Sequence, residues 1–99
     1  MQRYTEKLEK YLEELDKEKI ECGNQIFSWQ NELDDAKEML DIIDENSPFV
    51  YWQKRRVLTA ESIILNLKIR LEQIDLEKAE LETQLKVMLP KANEILQER

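Results

Sequence analysis

The chain contains no histidine, and only one glycine, one cysteine and two prolines among its 99 residues. Without histidine, Ser–His and Cys–His nucleophile activation is out of reach, as are the Glu-x-x-His di-metal sites of helical bundles. Gly23 stands alone, so no glycine-rich loop is present to cradle phosphates. Cys22 has no second cysteine with which to close an intramolecular disulfide; it reads as a buried structural thiol in a reducing compartment. No apolar run approaches the ~20 residues of a membrane span. No apolar export segment opens the chain, because residues 1–15 are studded with Glu and Lys. There is no Asn-x-Ser/Thr acceptor either. The expectation is a soluble, cytoplasmic, non-catalytic protein that uses no cofactor and no metal.

Charge is plentiful and uneven. Charged residues make up 37% of the chain and apolar residues 41%, a balance typical of long helices and too apolar for disorder. The net charge is −7. Residues 1–47 carry six Lys/Arg against fourteen Asp/Glu, whereas residues 48–99 carry nine against eight. Non-specific attraction to nucleic acid or to an anionic membrane is disfavoured for such a chain, and no basic stripe runs along it.

From Val57 onward, an apolar residue occupies nearly every first and fourth position of a seven-residue repeat. One series is Val57, Ile64, Leu71, Lys78, Leu85, Ala92; the other is Ala60, Leu67, Ile74, Leu81, Met88, Ile95. Spacing of 3.5 residues keeps one helix face against a neighbour. The first half supplies that neighbour through Tyr4, Leu8, Tyr11, Leu15, Glu18, Cys22, Ile26, Trp29, Leu33, Ala36, Leu40 and Ile43. Paired in reverse order with Ala92 through Gln53, these residues have numbers that sum to 96 or 97 throughout. A constant sum identifies two antiparallel helices folded about a turn near residue 48. The predicted fold is therefore all-α: a single coiled-coil hairpin of two long helices, expected to dimerise into a four-helix assembly.

The spacing predicts helix 1 over about residues 2–45, a turn at 46–48 and helix 2 over about 48–97. Asn46 tolerates a left-handed conformation at a helix end, Ser47 is a good N-cap, and Pro48 suits the first helical position. Two irregularities interrupt the pattern. From Cys22 to Ile26 the seam takes a second step of four, beside Gly23 and Asn24, which implies a local bulge or unwinding that absorbs the skipped residue, or a helix break. Pro90, facing away from the seam, is expected to kink helix 2 near residues 86–90 or to end its main body near Leu89.

Four groups of residues are candidates for function. Glu18 and Lys78 are the charged pair of the seam, and their numbers sum to 96, which suggests an ion pair fixing the antiparallel register. A second apolar stripe, Leu58, Leu65, Ile69 and Leu76 with Ile20 and Phe27 opposite, lies off the seam and is the expected oligomer interface. Near the turn, Phe49, Tyr51 and Trp52 precede Arg55 and Arg56, an aromatic and basic cluster suited to contacting a protein partner. Asp41, Asp44 and Glu45 should lie across the turn from those arginines and neutralise them. The acidic run Glu32, Asp34, Asp35, Glu38, Asp41, Asp44, Glu45 lacks the glycine and oxygen spacing of a calcium loop and reads as a solvated face.

In size and hairpin form the chain is similar to small secreted Trp-x-Gly proteins. The turn tryptophan here reads Trp52-Gln53-Lys54, however, and Tyr51 is the last tyrosine, so the C-terminal tyrosine-based export signal of that family is missing. Prefoldin-like chaperone subunits share the hairpin but need strands between the helices, and residues 44–50 leave no room for them. The functional expectation is a coiled-coil interaction or scaffold protein acting as a homodimer or with a helical protein partner, away from membranes and nucleic acid. One alternative is an acidic inhibitor or nucleic-acid mimic working through residues 32–45. Another is a small secreted or chaperone-type hairpin.

Overall fold

The computed structural model describes the backbone of residues 2–97 and the side chains of residues 3–88. Helix α1 spans Gln2–Ile42 and helix α2 spans Phe49–Gln97. The two pack against each other as a helical hairpin, with no strand among the described residues.

Helices of this length owe their stability mainly to packing of an apolar face, because propensity alone is marginal in water. The burial pattern accords with that source. Among the described residues the buried ones are Leu8, Leu15, Cys22, Leu33, Ala36, Ala60, Ile64 and Ile74, and each is a seam position. The other described seam residues are half-buried except Tyr4 and Tyr11, which are exposed; a tyrosine can lie along a seam while its hydroxyl end stays wet. Ala92 and Ile95, which continue the repeat, lie outside the described side chains.

The chain divides into two compact units, Met1–Ile20 with Leu71–Arg99, and Glu21–Arg70. In the first, Leu8, Leu15 and Ile74 are buried. Two cross-helix ion pairs flank them: Lys19 Nζ lies 2.8 Å from Asp75 Oδ1, and Lys78 is held by Asp16. In the second unit, Leu33, Ala60 and Ile64 form a buried cluster against which Ile26, Trp29 and Val57 pack. Leu33 and Ile64 sum to 97, as the predicted register requires. Ala36 and Ala60 are enclosed to 0% and 1% exposure. An alanine is shielded that completely only where the neighbouring helix comes close, since it has no bulk of its own beyond Cβ.

The turn departs from expectation in two respects. Helix α1 closes at Ile42, three residues before Glu45. Asn46 is not left-handed, because no described residue has positive φ. Asp44 takes over both tasks. Its carboxylate accepts from the Asn46 N–H at 3.2 Å, and its carbonyl accepts from the Ser47 N–H at 2.9 Å, which reverses the chain over residues 44–47. Ser47 Oγ then accepts from the Phe49 N–H at 3.2 Å, so Ser47 caps α2 with Pro48 at the first helical position.

Neither expected irregularity breaks its helix. α1 passes through Gly23 and Asn24 without a break, a π-turn or a positive φ. The physical reason lies in the step pattern. From Leu15 through Glu18 and Cys22 to Ile26, the seam advances 3, 4 and 4, which is eleven residues in three turns. That is ~3.67 residues per turn, close to the ~3.6 of an ordinary α-helix, so the helix needs no bulge to carry the extra residue. α2 likewise remains helical through position 90 to Gln97, so Pro90 does not end it.

Candidate functional site

Within Glu21–Arg70, the seam uses one face of each helix and leaves a second apolar set in water. Phe27 of α1 and Leu58, Leu65 and Ile69 of α2 are between 46% and 69% exposed. Leu58, Leu65 and Ile69 follow one another at intervals of seven and four, which keeps them on one side of α2. Around Phe27 the helix carries no charge. Residues 22–31 contain no Asp, Glu, Lys or Arg, and Gly23 has nothing within 4 Å of where a Cβ would stand. In the other unit, Ile20 and Leu76 are also exposed.

The turn end of the same unit gathers more apolar surface. Phe49, Tyr51 and Trp52 are all exposed, joined by Ile42, the most exposed of the large apolar side chains among the described residues at 75%. Ile42 was not singled out by the spacing, because it lies one residue outside the seam at the point where α1 stops. Leu40, Ile43, Glu45, Val50 and Lys54 line a depression of about 380 Å³ beside the turn.

Arg55 and Arg56, adjacent in sequence, have different surroundings. Arg56 points back along the stem, where its guanidinium donates to Glu32 at 2.9 Å and to Asp35 at 3.1 Å, and to Gln53 Oε1 at 2.7 Å. Its hydrogen bonds to Glu32 and then to Asp35 raise its pKa above the ordinary value, against the opposing effect of desolvation. The expected neutralisers Asp41, Asp44 and Glu45 are not the carboxylates that hold it. Arg55 is exposed and makes no hydrogen bond or ion pair among the described residues. Trp52, Arg55, Arg56, Thr59 and Ala60 of α2, with Trp29 and Glu32 of α1, surround a groove of about 230 Å³. The seam pattern had assigned Trp29 to the core alone. The available signal was the small Ala60 nearby, which leaves room beside an indole.

The seam charges also have a defined arrangement. Lys78 is half-buried and bonded to Asp16. Its pKa is raised, first by the hydrogen bond to Asp16 and then by the charges of Asp16, Glu82 and Asp75, which together outweigh desolvation. Glu18, the residue expected opposite Lys78, is half-buried and makes a polar or electrostatic contact. The acidic run over residues 32–45 is partly occupied: Glu32 and Asp35 hold Arg56, Asp34 accepts from Gln30 at 3.1 Å, and Asp44 builds the turn.

Among the described residues there is no group of three His, Cys, Asp or Glu side chains placed to hold a metal ion. Nor is any described helix long and apolar enough to cross a membrane. No protein-family model, no curated protein and no solved structure matches this chain.

Proposed function

We propose that this chain is a non-catalytic coiled-coil interaction protein that works by association, in the first instance with a second copy of itself and otherwise with another helical protein. The observation that carries this reading is the exposure of Phe27, Leu58, Leu65 and Ile69 in a unit whose seam is already filled. Apolar side chains at helical spacing, left in water by one packed face, are what a further helix pair covers in a four-helix assembly. The local charge distribution permits a second copy as the occupant. A molecule of net −7 that pairs with itself repels itself wherever acidic faces meet, and residues 22–31 are free of charge on the very turns that carry Phe27. Ile20 and Leu76 extend the same role to the other unit. The buried thiol of Cys22 suits a reducing compartment, and the cytoplasm is the proposed location.

The test is sedimentation equilibrium on the wild type and on a Phe27→Glu, Leu65→Glu double variant. The wild type is expected to associate and the variant to remain monomeric with its helicity intact. A wild type that stays monomeric at high micromolar concentration would eliminate self-association. The acidic-inhibitor reading has less support, because Glu32, Asp34, Asp35 and Asp44 already serve contacts within the chain.

A further inference from the structure

The chain has two tryptophans, Trp29 and Trp52, and both line the same groove on Glu21–Arg70. Its volume, about 230 Å³, is below the ~300–1,000 Å³ of pockets that hold drug-sized ligands or cofactors. It suits one inserted side chain, in the manner of a single anchor at a protein interface. The electrostatics of the groove follow from which charges are already spent. Glu32 and Arg56 neutralise each other across it, with Asp35 adding to the pair. Arg55 is left as the cation of the lining with no carboxylate partner among the described residues.

We propose that this groove docks an acidic segment of another protein, with an aromatic or aliphatic side chain set between the two indoles and an adjacent carboxylate on Arg55. A basic segment would face Arg55 with no free carboxylate in the lining to receive it. The chain is acidic overall, but charges farther away than about 8 Å are largely screened at physiological salt, so the local guanidinium decides the contact. Nucleic acid is a poorer occupant, because its affinity comes from neutralising several phosphates and the groove offers one uncompensated cation. The proposal stands whether or not the chain self-associates, since it rests on different residues from those of the apolar stripe.

Because both tryptophans line the groove, intrinsic fluorescence of the full chain reports its occupancy directly. The probes are the blocked hexapeptide Glu-Glu-Phe-Leu-Glu-Glu, its counterpart with lysine in place of every glutamate, and a short single-stranded oligonucleotide. The acidic peptide is expected to change tryptophan emission saturably, and the lysine peptide to bind at least about tenfold more weakly. Arg55 is exposed and off the seam, so Arg55→Glu should keep its helicity and invert the preference, with the lysine peptide now binding better. Equal response to both peptides, no saturable response, or an unchanged preference in Arg55→Glu would overturn the proposal. So would an oligonucleotide that shifts emission as strongly as the acidic peptide. An emission change on raising protein concentration alone that Arg55→Glu abolishes would overturn it too, since a second copy would then be the occupant of the groove.

Discussion

At the scale of single residues, position relative to the seam separates side chains of the same type. Ile74 is 0% exposed, whereas Leu76, two residues on, stands in water. Ile74→Ala removes methylenes from a closed site and is expected to lower unfolding free energy by about 2–4 kcal/mol. Leu76→Ala should change it by no more than about 0.5 kcal/mol in the monomer. Urea titrations check both, with unchanged slope showing that only stability has moved. Lys78 yields a pH prediction. Its pKa is raised above the ordinary 10.5, so the folded state holds its proton more tightly than the unfolded chain does. The resulting stabilisation is complete below pH 10.5 and is lost as pH rises through the higher folded value. The gap in urea midpoint between wild type and Lys78→Met should be constant from neutral pH to about pH 10 and shrink above it. A gap that does not change in alkali would show that the contact with Asp16 contributes nothing.

Elements are decided by periodicity and by their ends. α1 tolerates Gly23 in its interior because eleven residues in three turns lie near the natural helical repeat, so no bulge is needed at the skip. That makes Gly23 a simple weak point. Its φ is not positive and nothing lies within 4 Å of a built Cβ, so Gly23→Ala should stabilise the protein by about 0.5–1 kcal/mol. Thermal denaturation checks this, and a lower melting temperature would show that the backbone there is not ordinary α-helix. The turn illustrates what element-level reading misses. Ser47 and Pro48 were legible because cap and first-turn preferences depend on those residues alone. Asp44 was not, because its role depends on which backbone N–H groups the chain reversal brings to its carboxylate and carbonyl.

For the whole molecule, the opposing quantities are net charge and exposed apolar surface. Two copies of a −7 chain repel at long range, while Phe27, Leu58, Leu65 and Ile69 gain by leaving water. Raising salt from about 50 mM to about 500 mM screens the repulsion and leaves the apolar term in place. Self-association should therefore strengthen with salt, as read from the sedimentation dissociation constant. Binding to a basic target through the acidic face would weaken over the same range, and a dissociation constant that rises with salt would favour that alternative.

The sequence by itself determined the two helices, their antiparallel register and the identity of the buried residues. Each of these follows from a repeat that must place apolar side chains on one face, and every buried residue among those described was legible in it before any contact was known. The off-seam stripe of Ile20, Phe27, Leu58, Leu65, Ile69 and Leu76 was legible for the same reason, as what the repeat leaves over, whereas Ile42 was not. Tertiary structure decided the partners of the long polar side chains. Arg56 swings back to Glu32 and Asp35, Lys78 reaches Asp16, and Trp29 shares a groove with Trp52. Those side chains span several ångströms beyond their Cβ atoms, so their numbers do not obey the register sum, and only the packed positions of their neighbours select among the charges and rings within reach.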